Sequence, residues 1–235
     1  MTAVFGLVVR TQLTRARALS LAAVGALGVL LALAQHRAVA PYERARAAYD
    51  LVEGYGLSLL VPVTALVFAA AALGDPAEDG TLVYLWHRPL RRLSLATGAL
   101  AGAVGLAVPL AVVPTVAMAA VAGGGAGLVA GAAASSMLAV VAYSTLFLGL
   151  GLLVKRALAW GLVYVLIWEG FVARSGVGPA RLSVLVYARS VLADLGGRAP
   201  PRLAADPTVA VVTPLALGAA ALALTVWLLR RADVR

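Results

Sequence analysis

Six long apolar runs divide this chain, and nearly every charge is gathered into the segments between them. A bilayer core of about 30 Å takes roughly 20 apolar residues of helix. Ala18 to Ala34, Gly54 to Gly74, Leu93 to Ala122, Gly125 to Val154, Ala157 to Ala173 and Thr208 to Leu229 approach or exceed that length. In lipid, backbone polar groups must bond within their own segment, so such runs fold as helices. The chain therefore reads as an all-α polytopic membrane protein with six transmembrane helices. The block from Leu93 to Val154 has no charge and contains Pro109 and Pro114. Two kinked helices fit it better than three short ones, and both counts stay open.

Composition excludes an ordinary soluble domain. The chain is 63% hydrophobic and 12% charged, whereas soluble domains are roughly 45–50% apolar and 25% charged. It has no cysteine, which removes disulfides, thiolate catalysis and Cys-based metal sites. The net charge of +9 rests on arginine, with Lys155 the single lysine. Basic flanks of this kind face the cytoplasm and anionic headgroups. No basic run is interleaved with aromatics, so nucleic acid is not an expected partner. With the N-terminus inside, Arg10, Arg15, Arg17, Arg88, Arg91, Arg92, Lys155, Arg156, Arg230, Arg231 and Arg235 are cytoplasmic. Arg37, Arg44, Arg46, Arg174, Arg181, Arg189, Arg198 and Arg202 then lie outside. That bias, and the Arg230-Arg231 exit, put both termini in the cytoplasm. Arg15-Ala16-Arg17 before an apolar run ending Ala32-Leu33-Ala34 imitates a signal peptide. Residues 1–17 are long and partly apolar for its basic region, which favours an uncleaved first span.

The flanking segments have patterns of their own. Val4, Phe5, Val8 and Val9, followed by Arg10, Arg15 and Arg17, suit an amphipathic helix in the inner interface. Gln35 to Glu53 suits a short external surface helix. From Arg174 to Pro207, Leu182, Leu185, Val186 and Leu192 make an apolar face opposed by Arg181, Arg189 and Asp194. This predicts an external amphipathic helix resting on the outer leaflet and ending at Gly196-Gly197.

Residues 75–92 form a charged island between two apolar runs. Asp79 suits a helix N-cap and Pro89 a stop. Leu82, Leu85 and Trp86 share one side at helical spacing. A short helix with an apolar ridge can plug a groove on a soluble partner; a solvated loop lying against lipid is the plainer alternative. The island resembles the cytoplasmic loop by which permeases of the ABC-2 exporter family touch their ATPase. That loop reads as an acidic stretch, Glu-x-Gly-Thr-Leu, a short apolar helix and an Arg-Pro-x-x-Arg-like exit. Glu78, Gly80, Thr81, Leu82, Leu85, Arg88, Pro89 and Arg92 stand in those places.

The resemblance implies one transmembrane permease domain over residues 1–235 in a bacterial inner membrane. Its parts would be an elbow helix at 1–17, spans at 18–34, 54–74, 93–122, 125–154, 157–173 and 208–229, a coupling loop at 75–92 and an external segment at 174–207. ATPase coupling would fall to Glu78, Asp79, Gly80, Thr81, Leu82, Leu85, Trp86 and Arg88. Partners would be two copies of a P-loop ABC ATPase, a second permease copy or a related permease, and lipids. A phosphate-binding loop needs G-x-x-x-x-G-K-[ST], and Lys155 lies between Val154 and Arg156 without that frame. The chain is thus expected to hold no cofactor and to be no enzyme, with ATP and Mg bound by the partner. The alternative is a non-transporting scaffold that recruits a cytoplasmic partner through the same loop.

Glu169 is the lone acid inside an apolar run, and intramembrane acids are functional by default. The sequence places it toward the outer end, beside Arg174, as part of an outer gate or of helix packing, against a merely snorkelling acid. The phrase Tyr164-x-x-x-Trp168-Glu169 also resembles one in bacterial members of the family. Ser135, Ser136, Tyr143, Ser144 and Thr145 place hydroxyls in the fourth span, where back-bonding to the helix competes with a place on the translocation path. Gly98-x-x-x-Gly102, Gly123-x-x-x-Gly127 and Gly127-x-x-x-Gly131 allow close helix contact, within the chain or between copies. No metal site or catalytic residue is expected: H-E-x-x-H is absent, and His36 and His87 fall in opposite loops.

Overall fold

The computed structural model describes residues 2–79, 92–199 and 204–231, and among them every regular element is helical. We number the helices α1 (Thr2–Gln12), α2 (Arg15–Ala38), α3 (Arg44–Glu78), α4 (Arg92–Val121), α5 (Gly125–Leu153), α6 (Ala157–Glu169), α7 (Val184–Leu195) and α8 (Pro207–Arg231). Five of them, α2, α3, α4, α5 and α8, are long and apolar enough to cross a membrane. That marks a multi-pass membrane protein. The sixth expected span, 157–173, becomes the shorter α6, seven residues of α-helix followed by six of π-helix. At 1.5 Å per residue it reaches only about 20 Å.

The uncharged block resolves into two helices, α4 and α5, joined at Gly123 and Gly124. Proline shapes both α3 and α4. It lacks an N–H and its ring crowds the preceding turn. α3 widens into a π segment at Val52–Leu60 just before Pro62, and α4 does so at Val108–Val112 before Pro114. Between α2 and α3 the expected external surface helix does not stand apart. Arg44–Leu51 runs without interruption into the span, because nothing between Leu51 and Val52 breaks the helix.

The hydrophobic cores assign the two ends of the bundle. Val4, Leu73, Leu95, Leu148 and Leu229 pack together, so α1 and the last turn of α8 share one end, the terminal end. At the distal end, Arg198 donates to Asp50 at 2.8 Å and Gly127 lies against Leu195. α3 and α5 are the central pair, 78% and 61% buried over their apolar windows, against 22% for α2. They cross backbone to backbone near the terminal end. A Cβ on Gly151 would sit 2.3 Å from the Ala70 carbonyl oxygen, which leaves room for glycine alone. The flagged glycine repeats serve packing inside the chain as well: Gly102 receives Val8 of α1, and Gly127 and Gly131 receive the Leu195 and Leu192 carbonyls of α7.

α7 departs from the expected external helix. It forms at the predicted place and ends at Gly196, but it does not rest outside the bundle. Val184, Leu185, Tyr187, Ala188, Val191 and Leu192 are buried, and α7 runs along α5 toward the distal end. The glycines of α5 admit it there.

Candidate functional site

Polar groups gather at three places among the described residues: around Glu169 at mid-depth, around Arg189 beside it, and at the terminal end. The first is centred on Glu169, whose side chain closes the gap between α6 and α7. Glu169 is 2% exposed. Its Oε1 accepts hydrogen bonds from the Val184 backbone N–H at 3.1 Å and from the Tyr164 hydroxyl at 3.1 Å. The Ser183 hydroxyl donates to Oε2 and also accepts from the Val186 N–H at 3.1 Å, as the N-cap of α7. A carboxylate at the N-terminus of a helix satisfies orphan N–H groups and meets the positive end of the helix dipole. These bonds are how a buried acid is accommodated here.

Tyr143 adjoins the same site. Its ring stacks on Phe147 at 5.7 Å, and Tyr164 meets Phe147 edge-on at 6.0 Å. The Tyr143 hydroxyl is buried beside the Glu169 carboxylate. Tyr143 is eighteen residues beyond the start of α5, which puts this cluster about 27 Å from the distal end of that helix. The sequence expectation that Glu169 lies toward the outer end beside Arg174 is therefore corrected. α6 stops inside the bundle, and the acid stops with it.

A second set of polar groups adjoins α7 one turn further on. Arg189 pairs with Glu53 at 2.9 Å and donates to the Ser58 hydroxyl at 3.1 Å. Glu53 and Ser58 belong to the π segment of α3, and Tyr164 and Glu169 to that of α6. π segments recur at functional sites because the widened turn re-aims side chains. The serines of α5 are not drawn in. Ser135 and Ser136 bond back to the Ala132 carbonyl, roughly two turns from Tyr143. Of the residues expected on a path, Glu169 and Tyr143 are brought together, while Ser135 and Ser136 are not. Ser183, Arg189, Glu53 and Ser58 were not flagged by the sequence. A serine directly before Val184-Leu185-Val186 is the one available signal, an N-cap signature.

At the terminal end, the acidic entry of the 75–92 loop is tied to two other junctions. Asp75 pairs with Arg17 at 3.2 Å, at the start of α2. Gln12, at the end of α1, donates to the Ala71 carbonyl at 3.1 Å and accepts from Arg17. Glu78 accepts from the Arg156 backbone N–H at 2.7 Å, in the turn between α5 and α6. Arg156 adopts φ +60°, the left-handed region that a non-glycine residue rarely enters. Asp79 is the C-cap of α3, its N–H bonded to the Asp75 carbonyl; the helix it is expected to open lies outside the described residues. Gly80, Thr81, Leu82, Leu85, Trp86 and Arg88 lie outside the described residues.

The chain matches no protein-family model, and no curated protein matches it.

Proposed function

We propose that this chain is the membrane-spanning permease subunit of an ATP-driven ABC exporter, coupled through residues 75–92 to a separate ATPase. The supporting observation is the pair of ties from Asp75 and Glu78. One α-helical turn carries both acids, and it is fastened to the α1–α2 junction and to the α5–α6 turn. A push on that turn would reach three junctions at once, which is what a permease needs to convert motion of a soluble motor into motion of its spans. The α6–α7 break lies directly above the α5–α6 turn along the chain. Its capped carboxylate is a discrete contact that can be made or broken between two states. On this reading the protein works as a dimer of permeases in a bacterial inner membrane, with both termini cytoplasmic.

The test is purification from the native host in mild detergent, followed by an ATPase assay. A co-purifying P-loop ATPase with vanadate-sensitive turnover is expected, and Glu78→Ala combined with Arg88→Ala should lower its recovery while the permease stays inserted. Recovery of the chain without any ATPase, repeated in lipid nanodiscs, would replace the pump with a scaffold.

A further inference from the structure

Along the terminal half of α8 runs a groove that neither the Glu169 cluster nor the acidic turn lines. It has a volume of about 390 Å³ and lies between Leu93, at the start of α4, and one face of α8. Two stripes of α8 line it, each with a residue at every fourth position. Ala219, Ala223 and Trp227 make the first, and Leu222, Val226 and Arg230 the second. The alanines leave the trough, and the stripes end together in an indole and a guanidinium. Arg231 lays its own guanidinium over the Trp227 ring, 3.9 Å from the centroid. Among the described residues no carboxylate lines the groove, and Arg230 is in no ion pair.

Packing against α5 fixes the depth of each end. A Cβ on Gly218 would sit 2.8 Å from the Thr145 hydroxyl, and Thr145 follows Tyr143 of the mid-depth cluster by two residues. Ala219 therefore lies at mid-depth. Further along, Thr225 lies against Gly149, and Leu229 belongs to the core of the terminal end. Arg230 comes directly after it. From Ala219 to Arg230 the helix rises about 16 Å, half of a hydrocarbon core of roughly 30 Å. The groove has the length of one leaflet, apolar from the midplane outward and cationic only where headgroups begin.

We propose that this groove binds an anionic phospholipid of the terminal-end leaflet, with its phosphate on Arg230 and an acyl chain along Ala223, Leu222 and Ala219. A guanidinium meets phosphate with paired donors, and tryptophan sits at headgroup level in membrane helices. A zwitterionic headgroup adds an ammonium, which Arg230 and Arg231 repel and no described carboxylate of the groove can take. Charge also disfavours a second copy of the chain. Two copies packed here about a twofold axis along the membrane normal would set Arg230 and Arg231 against their own counterparts at equal height. The proposal stands apart from the pump reading, because a lipid can occupy the groove whether or not an ATPase is attached.

The experiment is native mass spectrometry of the purified full chain, offered phosphatidylglycerol and phosphatidylethanolamine in equal amounts. The wild type should retain phosphatidylglycerol in preference. Arg230→Gln should lower that retention about fivefold, the weight of one basic residue at an anionic surface. Arg15→Gln removes the same charge at the same end but outside the groove, and should leave retention unchanged. Ala223→Trp, at an exposed position, fills the trough and should lower phosphatidylglycerol retention in a chain that stays monodisperse. Equal retention of the two lipids by the wild type, equal effects of Arg230→Gln and Arg15→Gln, or undiminished retention by Ala223→Trp would overturn the proposal. Efficient disulfide cross-linking of Ala223→Cys between two copies in lipid nanodiscs would overturn it too, by giving the groove to a second copy.

Discussion

The backbone N–H of Val184 donates to Oε1 of Glu169 at 3.1 Å, joining two short helices that the intervening segment leaves separate in the chain. The bond makes one interrupted path through the bundle out of α6 and α7. It also gives Glu169 a structural duty that can be measured.

Glu169→Ala strands two buried donors, on Ser183 and Val184, and the part-buried hydroxyl of Tyr164. Each unsatisfied buried group costs about 1–3 kcal/mol, so we expect a loss of about 3 kcal/mol or more. Glu169→Gln keeps an acceptor and should lose about 1 kcal/mol. Thermal denaturation in detergent reads the difference. Equal melting of the two variants would show that the carboxylate does not hold the break together.

The α3–α5 crossing predicts a sharp size limit at one position. Gly151→Leu drives a side chain into the Ala70 carbonyl, and the overpacking should cost about 3 kcal/mol. Gly6→Ala, with nothing near its added Cβ, is the control and should behave as wild type. The measurement is the fraction of chain recovered monodisperse after size exclusion.

Arg189 and Glu53 join α7 to the π segment of α3 at partly buried positions. A double-mutant cycle with Arg189→Gln and Glu53→Gln should give a coupling of roughly 1 kcal/mol. Additive effects would reduce the pair to a contact without energetic weight.

The absence of cysteine makes the chain its own background for labelling. Cysteine at Ala77, at the terminal end, should react from one side of the membrane only. Cysteine at Tyr42, exposed in the turn before α3, should react from the other side only. Reaction of both from one side would break the assignment of the two ends. Reaction of Ala77→Cys from the cytoplasm would fix the proposed orientation.

Much of the architecture could be read before any coordinates, because charge-free length is a direct signal of a membrane helix. The limits of α2, α4, α5 and α8 fall within a few residues of the apolar runs. Where the reading failed, the deciding contacts were distant in sequence. Residues 157–173 have the composition of a full span, and nothing in that composition shows that α6 ends at Glu169, whose carboxylate is taken up by Ser183 and Val184 at the start of α7. Arg181, Arg189 and Asp194 made α7 look like a surface helix. Arg189 is instead absorbed by Glu53 and Ser58, which lie more than a hundred residues earlier. The Gly74–Gly151 crossing was missed for a related reason. A repeat within one helix is visible in a sequence, whereas a pair shared by two helices is not. Glu169 itself was legible as a lone acid in an apolar run, but its depth was not.

The crossing at Gly74 and Gly151 has a mechanical consequence. α3 continues for thirty residues from that contact back to Arg44, a lever arm of about 45 Å. With the two backbones touching at one end, a tilt of about 10° there would carry the far tip by about 8 Å at helical rise. The arm's short side ends at Asp75 and Glu78, so a small displacement of the acidic turn is magnified at the opposite face of the membrane.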